Sequence, residues 1–104
     1  MRSREPSPSN PEATKLLNAL LRHLENPFLV LQLPVAARAA EVERQGQKLL
    51  AMLAAGLAEA ELYGTPFGPR RRTAELVRAA MSELRAPERR VAHEFWVAGW
   101  GQAP

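Results

Sequence analysis

The 104-residue chain contains no cysteine and no aspartate, and aromatic residues make up only 6% of it. Without cysteine there can be no disulfide, thiolate metal site or thiol nucleophile, which fits a reducing compartment, with the cytoplasm as the expected location. Scarce aromatics, set against 46% hydrophobic content supplied mainly by Ala and Leu, favour close-packed helices over a sheet. No apolar run approaches the roughly 18 to 20 residues that span a bilayer, and the opening "MRSREPSPSNPEATK" lacks the apolar core of a secretory signal. A soluble protein with no membrane span is expected.

Arginine is the residue in excess. Twelve of the fourteen basic residues are Arg, and the chain carries a net charge of +3 with a pI near 10.2. Because arginine does not titrate near neutrality, the pI reflects Arg usage more than a strong positive field. The balance permits a nucleic-acid partner without indicating one.

The length allows one domain. Residues 1–10, with Pro6 and Pro8 among Ser and Arg, offer no apolar surface and are expected to be a disordered tail. Asn10 and Pro11 then make a helix start, a capping side chain followed by Pro at the first helical position. Leu16, Leu17, Leu20, Leu21 and Leu24 recur at helical spacing, so an extra amphipathic helix is expected over 11–25. Asn26 and Pro27 restart the chain, and "FLVL" at 28–31 is a short buried helix that must stop near Pro34. The longest helix is expected from 36 to 62, with Val42, Leu49, Leu50, Leu53 and Leu57 on one face and Gly46 and Gly56 each weakening it by about 1 kcal/mol. "YGTPFGPRRR" at 63–72 reads as a loop, Thr73 as the cap of a further amphipathic helix, and Pro87 as the start of a last one. No strand is expected, and residues 99–104 should fray.

Two segments carry a family resemblance: "NPFLVLQLPV" at 26–35 and "ELVRAAMSELRAPERRVAHEFW" at 75–96. In the first, Phe28 stands three residues before Leu31. In the second, Leu76, Ala79 and Leu84 lead to Pro87, then Arg89 and Arg90, then His93-Glu94. In this order, with a helix-length stretch between them, they resemble a J-domain (DnaJ-like) fold over residues 26–98. The resemblance implies an all-α, J-domain-like bundle in which Arg90 ties the last helix to the rest. The His-Pro-Asp tripeptide with which J-domains stimulate a DnaK-type ATPase is absent, its place taken by "YGTPFGP" at 63–69. The resemblance also implies bulky aromatics where Gly46 and Ala80 stand. Burying a ring contributes about 1.5 to 3 kcal/mol, so the missing volume should be made up by closer helix approach, with Phe95, Trp96 or the leucine face of the first helix filling in.

Catalytic chemistry finds little support. His23 and His93 have no second His, Cys or Asp at ligand spacing. Glu41 with Glu43, and Glu59 with Glu61, are i,i+2 pairs that do not face one another on a helix. Ser3, Ser7, Ser9, Ser82, Thr14, Thr65 and Thr73 lack a base placed by sequence, and no phosphate-binding glycine loop is present. No enzyme, metal or cofactor is expected.

Arg70, Arg71 and Arg72, with Arg78 and Arg85, make a candidate basic patch, read first as a solvated loop flank. Interleaved Glu75, Glu83 and Glu88 and the lack of stacking aromatics speak against nucleic acid. Leu17, Leu20, Leu21 and Leu24, with Trp96 and Trp100, are apolar surplus beyond the J-like unit and the candidate partner-binding residues. The expectation is a non-catalytic J-domain-like adaptor or structural subunit joining another protein or a larger assembly. The alternatives are a co-chaperone engaging a DnaK-type chaperone without the usual trigger, a homo-oligomer, and a basic helical nucleic-acid-binding protein.

Overall fold

The computed structural model describes residues 11–101. The expected tail at 1–10, with the Asn10 cap, and residues 102–104 lie outside that range. In chain order the elements are α1 (Pro11–Leu24), α2 (Pro27–Leu31), α3 (Ala39–Ala54), a 3-10 turn at Ala58–Ala60, β1 (Leu62–Tyr63), β2 (Arg70–Arg71), α4 (Ala74–Arg85) and α5 (Pro87–Gly101). The protein is a mainly helical small domain.

Local chemistry sets the helix starts. Asn26 caps α2 by accepting from the Phe28 N–H at 2.9 Å, with Pro27 at the first helical position. The same side chain reaches the other way, donating from Nδ2 to the His93 carbonyl at 3.2 Å, so the start of α2 is fixed to α5. Thr73 caps α4 by accepting from the Leu76 N–H at 3.1 Å.

α3 is shorter than the 36–62 helix its apolar face suggested. Gly56 takes a left-handed φ of 75°, and its N–H donates to the Leu53 carbonyl while the Leu57 N–H donates to that of Met52, both at 3.0 Å. This pairing of the last carbonyls is a Schellman end, so Gly56 is a helix terminator and not a tolerated weak spot within the helix.

The expected loop at 63–72 contains a small antiparallel ladder, with Leu62 opposite Arg71 and Tyr63 opposite Arg70. Its turn is closed by Thr65, whose hydroxyl donates to the Gly68 carbonyl at 2.7 Å and accepts from the Phe67 N–H at 3.0 Å, while Gly68 sits at φ 111°. The expectation of no strand is thus corrected. Of the four residues in these two strands only Tyr63 is buried, too little to leave an alternating pattern.

The core gathers Phe28, Val30 and Leu31 of α2, Val42 and Leu49 of α3, and Val77, Ala80, Met81 and Leu84 of α4, closed by Ala60 and Tyr63. The buried positions of α4 follow i, i+3, i+4, i+7, which leaves Ala79 on the surface, contrary to its expected structural role. Leu76 is half-buried at the core edge. α3 and α4 run antiparallel, since Glu43 pairs with Arg85, Gly46 meets Met81, and Leu50 lines the same cleft as Arg78.

The space opposite Gly46 is filled by Met81. A β-carbon built on Gly46 would lie 2.7 Å from Met81 Cγ and Cε, well inside contact distance. The helices have closed up around a flexible thioether side chain, which suits irregular gaps. Phe95, 72% exposed, and Trp96, 44% exposed, do not supply that volume.

Arg72 departs furthest from expectation. Read as part of a solvated flank, it is 2% exposed. Its Nε donates to the Val30 carbonyl at 2.8 Å, Nη1 to Ala60 and Leu62 carbonyls at 2.9 and 3.3 Å, and Nη2 to Gln32 Oε1 at 2.8 Å. Gln32 holds that acceptor in place from a left-handed φ of 57° at the end of α2. Burial pushes the Arg72 guanidinium below its ordinary value, and no carboxylate among the described residues pairs with it. A planar fork of donors can satisfy carbonyls from several segments at once, which a lysine could not.

Candidate partner-binding face

α1 is anchored at its C-terminal end. Leu24 is buried there, and the Tyr63 hydroxyl donates to its carbonyl at 3.0 Å. Leu24, expected among the partner-binding residues, therefore belongs to the interior, and Leu21 is half-buried. Away from that anchor, Leu16, Leu17 and Leu20 are exposed, at 73%, 57% and 44%.

The exposed leucines continue onto α5. Leu16, Leu20 and His23 lie on one helix face by their spacing of four and three. The His23 ring packs on Trp96 with centroids 4.0 Å apart, and Phe95 meets Trp96 edge-on at 5.9 Å. The result is a strip of apolar side chains running from Leu16 through Leu20 and the His23–Trp96 stack to Phe95, with Val91 also exposed one turn before Phe95. The side chain of Trp100 lies outside what the structure describes.

α5 is held from beneath, so the strip has a firm base. Arg90 Nη2 donates to the Val35 carbonyl at 2.9 Å and also to that of Ala37, its Nε pairs with Glu94 at 2.8 Å, and the guanidinium lies 5.3 Å from the Phe28 ring centroid. Pro87 opens α5, and Glu83 at the end of α4 binds both Arg89 at 3.0 Å and His93 at 2.9 Å.

The five arginines of the expected basic patch do not form one solvated surface. Arg72 is interior. Arg85 is committed to Glu43 at 2.7 and 3.0 Å, a two-pronged contact that holds the Glu43 carboxyl below its usual value. Arg70 has its Nε buried without an acceptor. Arg71 and Arg78 alone of the five are exposed and form no ion pair among the described residues.

Among the described residues no group of three or more His, Cys, Asp or Glu could hold a metal ion, and no helix is long and apolar enough to cross a membrane. Glu41 accepts from the Arg38 N–H at 2.7 Å and Glu43 from Arg85, so these two carboxylates serve separate structural contacts. No protein-family model, curated protein or solved structure matches the chain.

Proposed function

We propose that this chain is a non-catalytic, J-domain-like adaptor or structural subunit that joins another protein through the apolar strip of α1 and α5. The observation that carries the reading is the strip itself: Leu16, Leu20, Trp96 and Phe95 stay open, on an α1 anchored at its C-terminal end and an α5 tied down by Arg90. Large exposed side chains in a continuous line are costly to leave in water and mark a contact surface. Its occupant is an amphipathic helix of a partner, because a ridge of side chains spaced along α1 offers i, i+3 and i+4 positions for one to interlock with.

The J-domain-like part of the reading is supported by element order: a short capped helix, an antiparallel helix pair, and a closing helix bound back by Arg90. The connection between the paired helices carries "YGTPFGP" in place of His-Pro-Asp, so stimulation of a DnaK-type ATPase is not part of the proposal.

The test compares purified protein with extract of the native cell by size-exclusion chromatography. The purified chain should elute as an 11.5 kDa monomer and, in extract, as a larger species that Leu20→Ser with Phe95→Ser returns to monomer size. A purified dimer would favour self-association instead. ATPase stimulation of a DnaK-type chaperone, abolished by replacing Arg44 and Lys48, would establish the co-chaperone reading in its place.

A further inference from the structure

The hairpin and the antiparallel helix pair enclose a second feature, separate from the apolar strip. Where the end of α3 meets the start of α4 there is a cleft of about 380 Å³. Leu50, Leu53 and Ala54 of α3 supply apolar surface to it, and Arg71, Arg72 and Arg78 also line it. Among the described residues Glu61 is the one carboxylate in the lining, and it forms no ion pair.

The charge in this cleft is unbalanced for a structural reason. Arg72 is buried to close the hairpin, and all its acceptors are neutral oxygens, so its charge has no internal counter-ion. Arg71, on the neighbouring strand position, points away from the side that buries Tyr63, and Arg78 stands one turn into α4. Both are exposed, form no ion pair among the described residues, and line the cleft. Unscreened positive charge beside an apolar surface attracts a ligand with the opposite combination.

We propose that this cleft binds an acidic peptide segment of a partner protein, with an apolar side chain against Leu50 and Leu53 and carboxylates on Arg71 and Arg78. The volume suits one or two side chains. Guanidinium forks pair carboxylates with two parallel hydrogen bonds, which gives direction as well as attraction. Nucleic acid fits less well: among the described residues no aromatic lines the cleft for a base to stack on. A second copy of the chain is a distinct occupant, and the experiment below separates it.

The experiment pans a random-peptide display library on the purified protein and on the R71E/R78E variant, each first checked for native helix content and melting temperature. Wild type should enrich peptides in which Leu or Phe is flanked by Asp or Glu, and the variant should not. A dye-labelled synthetic peptide of the enriched pattern should then bind about tenfold more weakly to R71A/R78A, with the effect fading as salt is raised. The same peptide should bind the L16S/L20S variant as it binds wild type, which sets this site apart from the strip. Enriched peptides without carboxylates, or peptide binding indifferent to Arg71 and Arg78, would overturn the proposal. So would self-association of wild type lost in R71E/R78E, or tighter binding of a dye-labelled single-stranded oligonucleotide through the same arginines.

Discussion

Arg72 Nε donates to the main-chain carbonyl of Val30 across 2.8 Å, linking positions 42 residues apart. The same guanidinium takes the carbonyls of Ala60 and Leu62, so a single side chain ties the end of α2 to the 3-10 turn and the hairpin. Replacing Arg72 with Met keeps the stem and removes the donors. The buried carbonyls of Val30 and Ala60 then lose this donor, and the expected loss is about 3 kcal/mol in urea unfolding. Arg72→Lys should recover little, because one ammonium cannot span the fork. A loss below about 0.5 kcal/mol, the range of surface substitutions, would contradict the buried role.

Gly46 is needed small because Met81 occupies the space beside it. Gly46→Phe should therefore destabilise by about 2 to 3 kcal/mol through overpacking, and Met81→Ala in the same chain should return part of that. Thermal melts of the single and double variants check this. A higher melting temperature for Gly46→Phe alone would reveal a void between α3 and α4.

Burial raises the Tyr63 phenol above its ordinary value, against a smaller lowering influence from the neighbouring arginines. The fold favours the neutral phenol, which donates to Leu24. Its stabilising effect is full below the unfolded phenol's value of about 10 and is lost as pH rises through the higher folded value. Urea midpoints measured at rising alkaline pH should fall more steeply for wild type than for Tyr63→Phe. Parallel slopes would contradict the linkage.

The helices were legible where the signal was local. Asn26 with Pro27, Thr73, and Pro87 each mark a start through chemistry within three residues, and the leucine spacing of α1 needs no distant partner to be read. Arg72 was not legible, because its acceptors come from α2, the 3-10 turn and β1, and beside Arg70 and Arg71 it looks like one more solvated charge. That Met81, on the apolar face of α4, fills the space beside Gly46 was not legible for a similar reason. The consequence of Gly46 appears only when positions 46 and 81 are brought together across the antiparallel pair. Of the candidate site, Leu17, Leu20 and Trp96 lie exposed as a contact surface requires, whereas Leu24 is drawn inward by Tyr63, a contact 39 residues away in the chain.

Strip and core should separate in mutagenesis. Leu31 and Leu84 are buried, and truncating either to Ala should cost about 2 to 5 kcal/mol. Leu16→Ser with Leu20→Ser removes exposed side chains and should change stability by no more than about 0.5 kcal/mol each. Denaturant unfolding of these variants is the check, and a large loss for the serine variants would place α1 in the core.

The central claim is that α1 and α5 together present a surface for another protein. Site-specific photocrosslinking in the native cell tests it most directly, with a photoreactive residue placed at position 20, at position 95, or at exposed position 59 as control. The account predicts one discrete heavier adduct shared by positions 20 and 95, absent at 59, and lost from position 20 when Phe95→Asp is added. Adducts of equal yield at all three positions, or none at 20 and 95, would contradict it.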